Sequence, residues 1–512
     1  MSLRADHNLR KIAAISLFLA SAACLIFWMV RAFCAISFVT PYMMVTTGGE
    51  EDCLLSIWKF TEHQAVYSDP HRIPFAASYF NWGFYYFYGT IAKTCLQLLH
   101  LDIIWIPTIC RLITIAFTLV TGGIFWLALR KFVNAGIFAN RAVAVAWCII
   151  VAIGPLVGFW SITTRPDMGA LAFETAGLYL MLCCLRNQDD RFAVVAALLF
   201  YAAWAFKESS VTMLTGTVLA LLLLKRWRTF LLLVGAWWIL VIVTLVAGGP
   251  VYRECLLFAQ GKIPMHADFG PKYALMAGLR SPFFLPGIAA ILFFQWKRFR
   301  LHASEPIALA LALVVSFSFC FALVTSCRFG NTHYFIPAAW AAMLGLALIA
   351  ERMNAQWKLA GIAVCSWLLI AGIARGHIFY GNDYRYSNAI HQALAEKLAP
   401  LPGPVYVSER YGNLPWVQRL SPHFLLAYAY AADRDAGAPY ENGGWEGLAR
   451  DGYFGTLVMN QYDGNHPALL SRYELVDEYR DSTIDYKFYC RKASAHQEPP
   501  PQAGGLAGHG GT

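Results

Sequence analysis

Apolar residues fall in long runs, at roughly 12–33, 104–129, 142–160, 168–185, 192–206, 209–224, 229–247, 282–296, 306–326, 332–350 and 359–376. A helix needs about 20 predominantly apolar residues to cross a bilayer. The pattern therefore predicts about eleven helices of spanning or near-spanning length. The first run follows basic residues, as a secretory signal would, but it continues too far and lacks a small-residue cleavage site, so it reads as an uncleaved first span. The stretch "FYYFYGTIAKTCLQLL" at 84–99 is short, aromatic-rich and contains Lys93. It reads as an interfacial helix lying on the outer leaflet.

From about residue 378 the pattern changes. "PVYVSE" and "FGTLVMNQ" read as strands, and "ELVDEYRDSTIDYKFYCRK" reads as two strands around a polar turn. The closing "AHQEPPPQAGGLAGHGGT" is rich in Pro and Gly and reads as disordered. The expected fold class is an all-α polytopic membrane protein with a small C-terminal extracytoplasmic α/β domain. Its membrane part covers 1–377 and includes a long first loop at 39–103. The soluble domain covers 378–493, and 494–512 forms the tail.

Composition agrees with this reading. Of the 512 residues, 58% are hydrophobic and 14% charged, against about half apolar in soluble domains. The net charge of +9 does not point to nucleic acid, because the Lys and Arg gather in short connections. With the N-terminus (Arg4, Arg10, Lys11) in the cytoplasm, alternate connections carry Arg130, Lys131 and Arg141; Arg186 and Arg191; Lys225, Arg226 and Arg228; Lys297, Arg298 and Arg300; Arg352 and Lys358. All these loops vote for the same side under the positive-inside rule. The 13 Cys are scattered, several within apolar runs, with no spacing that indicates zinc.

The opposite connections then face outward, and they hold the chemistry-bearing residues. "TTGGEEDCLL" places Glu50, Glu51 and Asp52 side by side just past the first span. Low dielectric and mutual repulsion raise a carboxylate pKa there, which suits a general base if a nearby cation or metal keeps it ionised; a solvated loop is the plainer reading. In "TTRPDMG", Pro166 suits a first helical turn and Asp167 the positive helix terminus. Asp167 then either caps a helix or serves a site, and Arg165 either snorkels to the headgroups or binds substrate. Glu174 lies about two turns deeper and is expected to be functional or to pair with Arg111. "HQAVYSDPHRIPFAASYFNWGFYYFYG" mixes aromatic, Pro and polar residues. Such a strip can line a lipid groove and present Tyr67 or Tyr79 to a sugar, or serve as an interfacial belt. Lys207 in "FKESS", and Arg328 and His333 in "CRFGNTHYFIP", are outward cations able to bind a phosphate or to anchor the interface.

In this order the motifs resemble the GT-C superfamily of integral-membrane glycosyltransferases, which includes protein mannosyltransferases and bacterial aminoarabinose transferases. The resemblance rests on "EED", then "YSDPHRIP" and a Tyr-rich helix, then "TRPD", "FKES" and "HYFIP", and covers about residues 10–376. It departs from the family at Ala65, where a Gly is usual, and it leaves open which of the three acids matches. The resemblance implies a sugar donor carried on a polyprenyl phosphate and a lipid, glycan or protein acceptor. It implies a hexosyl- or pentosyltransferase among membrane lipids that needs no nucleotide site. The lack of a recognisable retention or sorting signal favours a bacterial inner membrane over an endoplasmic-reticulum membrane. On this basis Glu51 is expected to be the base, with Glu50 or Asp52 as alternatives. Asp167 is expected to orient the acceptor or, with Glu51, to hold a divalent cation. Arg165, Lys207, Arg328 and His333 are expected at the phosphate. A glycan polymerase or ligase using the 248–281 loop, a multi-helix transporter and a non-enzymatic membrane scaffold are the rival readings.

Overall fold

A computed structural model describes residues 2–37, 49–73, 75, 78–133, 137–258, 262–300, 305–350, 355–375, 392–407, 427–460, 471–480 and 485–492. Each of the eleven apolar runs holds a helix. The helices are α1 Ser2–Ser37, α2 Gly49–Thr61, α3 Trp82–Leu98, α4 Ile106–Phe132, α5 Arg141–Ile153, α6 Asp167–Asn187, α7 Arg191–Phe206 and α8 Thr212–Leu223. They continue as α9 Trp227–Ala247, α10 Gly249–Leu257, α11 Phe269–Arg280, α12 Phe284–Arg300, α13 Pro306–Phe329, α14 Ile336–Ala350 and α15 Ala355–Ala374. Among the described residues, five helices are long and apolar enough to cross a membrane, or six if α11 and α12, bent by 102°, make one span. The count therefore differs from the expected eleven. Five further apolar segments, including α5, α7 and α8, are only 10–17 residues long.

The packing follows from residue spacing. On α9 only Thr229, Leu233, Trp237 and Val241 are buried, one stripe at every fourth position. Leu231, Ile239, Val243 and Val246 on its other faces are apolar and exposed. A helix that shows apolar residues outward in this way meets lipid rather than water. By contrast, α6 is buried nearly all round, between α4 and α7. It is the central helix and carries Asp167 at its start. α13 ends at Gly330, whose φ of +57° is the left-handed stop that glycine adopts without strain.

The C-terminal part holds a four-stranded sheet of β1 Val405–Val407, β2 Thr456–Asn460, β3 Tyr473–Arg480 and β4 Asp485–Arg491, in the order β1-β2-β4-β3. β1 and β2 are parallel; β4 runs antiparallel to both β2 and β3. All four expected strands are present; the 481–484 turn and the 494–512 tail lie outside the described residues. One sheet face packs Val405, Val458 and Phe488 under Leu394 and Leu398. The other packs Tyr406, Leu457 and Met459 with Trp445 and, from the first loop, Phe75.

Candidate active site

The three adjacent acids do not lie in a loop. They form the first turn of α2, where the helix dipole favours carboxylates. Acids in a first turn followed by the apolar "CLLSIW" are a helix-start signal that the loop reading passed over. On a helix, successive side chains diverge by about 100°, so neighbours in sequence acquire different surroundings. Glu50 is fully buried and takes both prongs of Arg111, Nε to Oε1 and Nη2 to Oε2, each at 3.0 Å. Its Oε1 also accepts the Thr164 amide at 2.8 Å. Arg111 therefore pairs with Glu50, not with Glu174 as expected. Glu174 instead accepts from Met213 N at 2.7 Å and Thr212 Oγ1 at 3.2 Å, which satisfies the start of α8. The reason is placement: the nearest buried carboxylate to Arg111 comes from α2, and α8 offers Glu174 unpaired amides. Asp52, on the other flank of α2, is buried and accepts from the Tyr79 hydroxyl at 3.1 Å. The Glu51 side chain lies outside the described residues.

Tyr79 and Cys53 both feel the Arg165 charge, which places the Asp52 flank of α2 beside "TTRPD". There Asp167 gathers two cations and a histidine ring. Arg165 Nε lies at 3.1 Å, Lys207 Nζ at 2.6 Å and His333 Nε2 at 3.4 Å. Each comes from a helix end: Asp167 opens α6, Lys207 closes α7, and His333 begins the turn leading into α14. Burial alone would lower the Arg165 pKa, but the adjacent Asp167 carboxylate outweighs it and holds the guanidinium above its ordinary range. The guanidinium also lies over the Trp160 and Phe80 rings, at 4.8 and 5.3 Å. Lys207 Nζ is 3.2 Å from His333 Nε2. Lysine donates and cannot accept, so this contact assigns the ring proton to Nδ1. His333 Nδ1 is buried without a hydrogen-bond partner.

A cavity of about 470 Å³, part of it open to solvent, adjoins this cluster. Its walls include Asp167, Glu174, Lys207, Ser210, His333 and Tyr334. The expected residues thus divide. Arg165, Asp167, Lys207 and His333 meet, and Asp52 and Tyr79 stand beside Arg165. Arg328, in the last turn of α13, does not line the cavity. Tyr67 points away, donating to Phe80 O at 2.8 Å and packing on Tyr85 and Tyr252.

No protein-family model matches the chain, and no curated protein matches its sequence. The fold does match known structures. ArnT from Cupriavidus metallidurans, in its apo state, superposes with a TM-score of 0.52 at 15% identity, over 95% of this chain and 99% of ArnT. The chain has a GT-C fold. The oligosaccharyltransferase of Archaeoglobus fulgidus aligns over 92% of this chain and 72% of its own, at 13% identity and a TM-score of 0.49. The arabinosyltransferase EmbB of Mycobacterium smegmatis covers 91% and 45%, at 13% and 0.39.

Within this GT-C fold, Asp167 has its oxygens engaged by cations and is poorly suited to a metal. A different group has the right donors. Ligand atoms of Asp69, His71 and Glu254 lie within 4.8 Å of one another. His71 Nδ1 faces Glu254 at 3.2 Å, while its Nε2 meets Asp433 at 2.8 Å. A carboxylate behind the far nitrogen of a histidine is the arrangement that orients metal-binding imidazoles. Sequence reasoning missed this group because Glu254 lies far along the chain from Asp69 and His71.

Proposed function

We propose that the chain is a membrane glycosyltransferase that moves a sugar from a polyprenyl-phosphate carrier to an acceptor hydroxyl or amine on the extracytoplasmic face. The observation that carries this reading is the meeting of Arg165, Lys207 and His333 at Asp167, where Asp167, Lys207 and His333 also line a cavity. Two permanent cations face one carboxylate, so the cluster is net positive and suits a phosphate. The GT-C fold, shared with ArnT, agrees with this chemistry.

In the proposed reaction the acceptor oxygen or nitrogen attacks the anomeric carbon, and the bond from that carbon to the phosphate oxygen breaks. The transition state resembles an oxocarbenium ion. Lys207 and the Nδ1–H of the neutral His333 ring stabilise charge on the departing phosphate, and Asp167 holds Arg165 and Lys207 in place. A carboxylate takes the acceptor proton. Glu50 is unsuited to this task, since both its oxygens are committed to Arg111 and the Thr164 amide. Asp52, which accepts from Tyr79 and flanks the Arg165 segment, is our assignment in place of the expected Glu51. Asp69, His71 and Glu254 would hold a divalent cation, which would supply charge stabilisation; Asp433 orients His71 for it.

Orientation is supported by α6. Asp167 opens it and Arg186 closes it, about 30 Å apart along the axis, which matches the hydrocarbon thickness of a bilayer. Arg186 bonds the carbonyl of Lys131, so two basic connections meet at the end opposite the site. That pattern supports a site on the extracytoplasmic face.

The test is sugar transfer from polyprenyl-phosphate donors in membranes, comparing wild type with Glu51→Gln and Asp52→Asn at matched protein level. Loss of about 10²-fold or more in Asp52→Asn alone supports the assignment. Loss in Glu51→Gln alone moves the base to Glu51. Absence of transfer by wild type across a panel of donors overturns the reading.

A further inference from the structure

The proposed function gives the C-terminal domain only the orientation of His71, yet this domain grips the first loop at several points. Asp433, on the helix Ala427–Asp435, is almost fully buried. Its Oδ2 meets His71 Nε2 at 2.8 Å and accepts from the Tyr440 hydroxyl at 2.9 Å. Its Oδ1 accepts from Lys262, which lies between α10 and α11. One carboxylate therefore joins three parts of the chain. Two further bonds staple the same loop: Glu441 N donates to His71 O at 2.9 Å, and Ile73 N donates to Glu441 Oε2 at 3.0 Å. Phe75 then inserts into the domain core, near Tyr406, Tyr430 and Trp445. Its backbone has φ +57°, a region that a bulky residue occupies only when its surroundings impose it.

The other end of this loop reaches the site. Tyr79 donates to Asp52, and Ser78 donates to Val66 O at 2.6 Å, which closes the loop on itself. We propose that Asp433 is a positioning residue, through which the C-terminal domain sets the loop that presents Tyr79 to Asp52. The inference rests on the glycosyltransferase reading for its kinetic consequence, but not for its structural one.

The experiment uses the purified full-length protein. Arg72 has an exposed side chain, so trypsin cleavage of the Arg72–Ile73 bond reports loosening of the loop. Asp433→Asn keeps the shape and removes the charge. Cleavage after Arg72 should accelerate severalfold, and kcat should fall about tenfold or more, as displaced catalytic groups do. The KM for the lipid donor should stay within about twofold, because Lys207 and His333 are untouched. Asp433→Glu should recover part of both losses. Combining Asp433→Asn with His71→Gln should do no more harm than the worse single change, since the two act through one contact. If Asp433→Asn gives no folded protein, Tyr440→Phe, which removes another bond to the same carboxylate, carries the test. Unchanged cleavage and unchanged kcat overturn the proposal, as does a loss of kcat matched by loss of folded protein with cleavage unaltered. If wild type transfers no sugar, the functional reading fails, while the proteolysis still reads the contact.

Discussion

Glu50 and Arg111 form a two-pronged ion pair at zero exposure, with both contacts at 3.0 Å. The pair also fixes two other segments: Arg111 Nη1 donates to Ala35 O at 2.8 Å, and Thr164 N donates to Glu50. The pair thus ties α1, α2, α4 and the approach to α6 together. Breaking a buried pair leaves an uncompensated charge and costs about 3–5 kcal/mol. Arg111→Met and Glu50→Gln should each lower the thermal midpoint in detergent strongly. The double change Arg111→Met with Glu50→Leu should recover much of that loss. A double variant as unstable as the two single losses added would show that the residues do not act as a pair.

Lys207 and His333 should matter for rate more than for folding. Removing one donor from a site that stabilises developing negative charge costs about 10²–10³ in kcat. Lys207→Met and His333→Phe should lose transfer on that scale while the folded yield remains near wild type. Asp167→Asn should behave differently, because Arg165, Lys207 and His333 then crowd together without their carboxylate. It should lose both activity and thermal stability, and fluorescence-detected size exclusion separates the two outcomes.

These contrasts show what the sequence made legible. Apolar runs and basic loops were enough for the helices and the common end of Arg186 and Lys131, because period and loop charge are local properties. The "TRPD", "FKES" and "HYFIP" motifs could be recognised separately, and their meeting followed once all three were assigned to the same face. The division of labour within "EED" could not be read. It depends on the helical rotation that turns Glu50 toward Arg111 and Asp52 toward Tyr79. The partner of Arg111 was misjudged because helix depth does not determine rotation. The His71–Asp433 contact joins residues 362 apart in sequence, and nothing local to either one announces it.

Close helix packing gives a prediction independent of catalysis. A methyl group added at Gly216 would lie 2.4 Å from the Val314 Cα, so α8 rests against the backbone of α13. Such contacts replace the hydrophobic drive that helices lack within lipid. Gly216→Ala should cost about 1–3 kcal/mol through overpacking. Gly235, on lipid-facing α9, has nothing within 4 Å of the same position. There the change to Ala should be neutral or favourable by up to about 1 kcal/mol, through helix propensity. Thermal unfolding of both variants in detergent tests the pair, and equal effects would remove the packing argument.

Glu208 gives the protein a dependence on pH. It follows Lys207, and burial raises its pKa from 4.5 to about 7, with Lys207 opposing the shift and Asp167 adding to it. Its Oε2 is buried without a hydrogen-bond partner. A carboxyl whose pKa is higher in the folded state binds its proton more tightly there, so its contribution is fully present below the unfolded value. It is lost as pH rises through the folded value. The relevant window therefore runs from about 4.5 to about 7. Above it the wild type carries a poorly solvated carboxylate, at a cost on the order of 3 kcal/mol. Glu208→Gln should match wild type in thermal stability at pH 5 and exceed it at pH 8.5. Stability curves that stay parallel across this range would place the Glu208 carboxyl in water and withdraw the prediction.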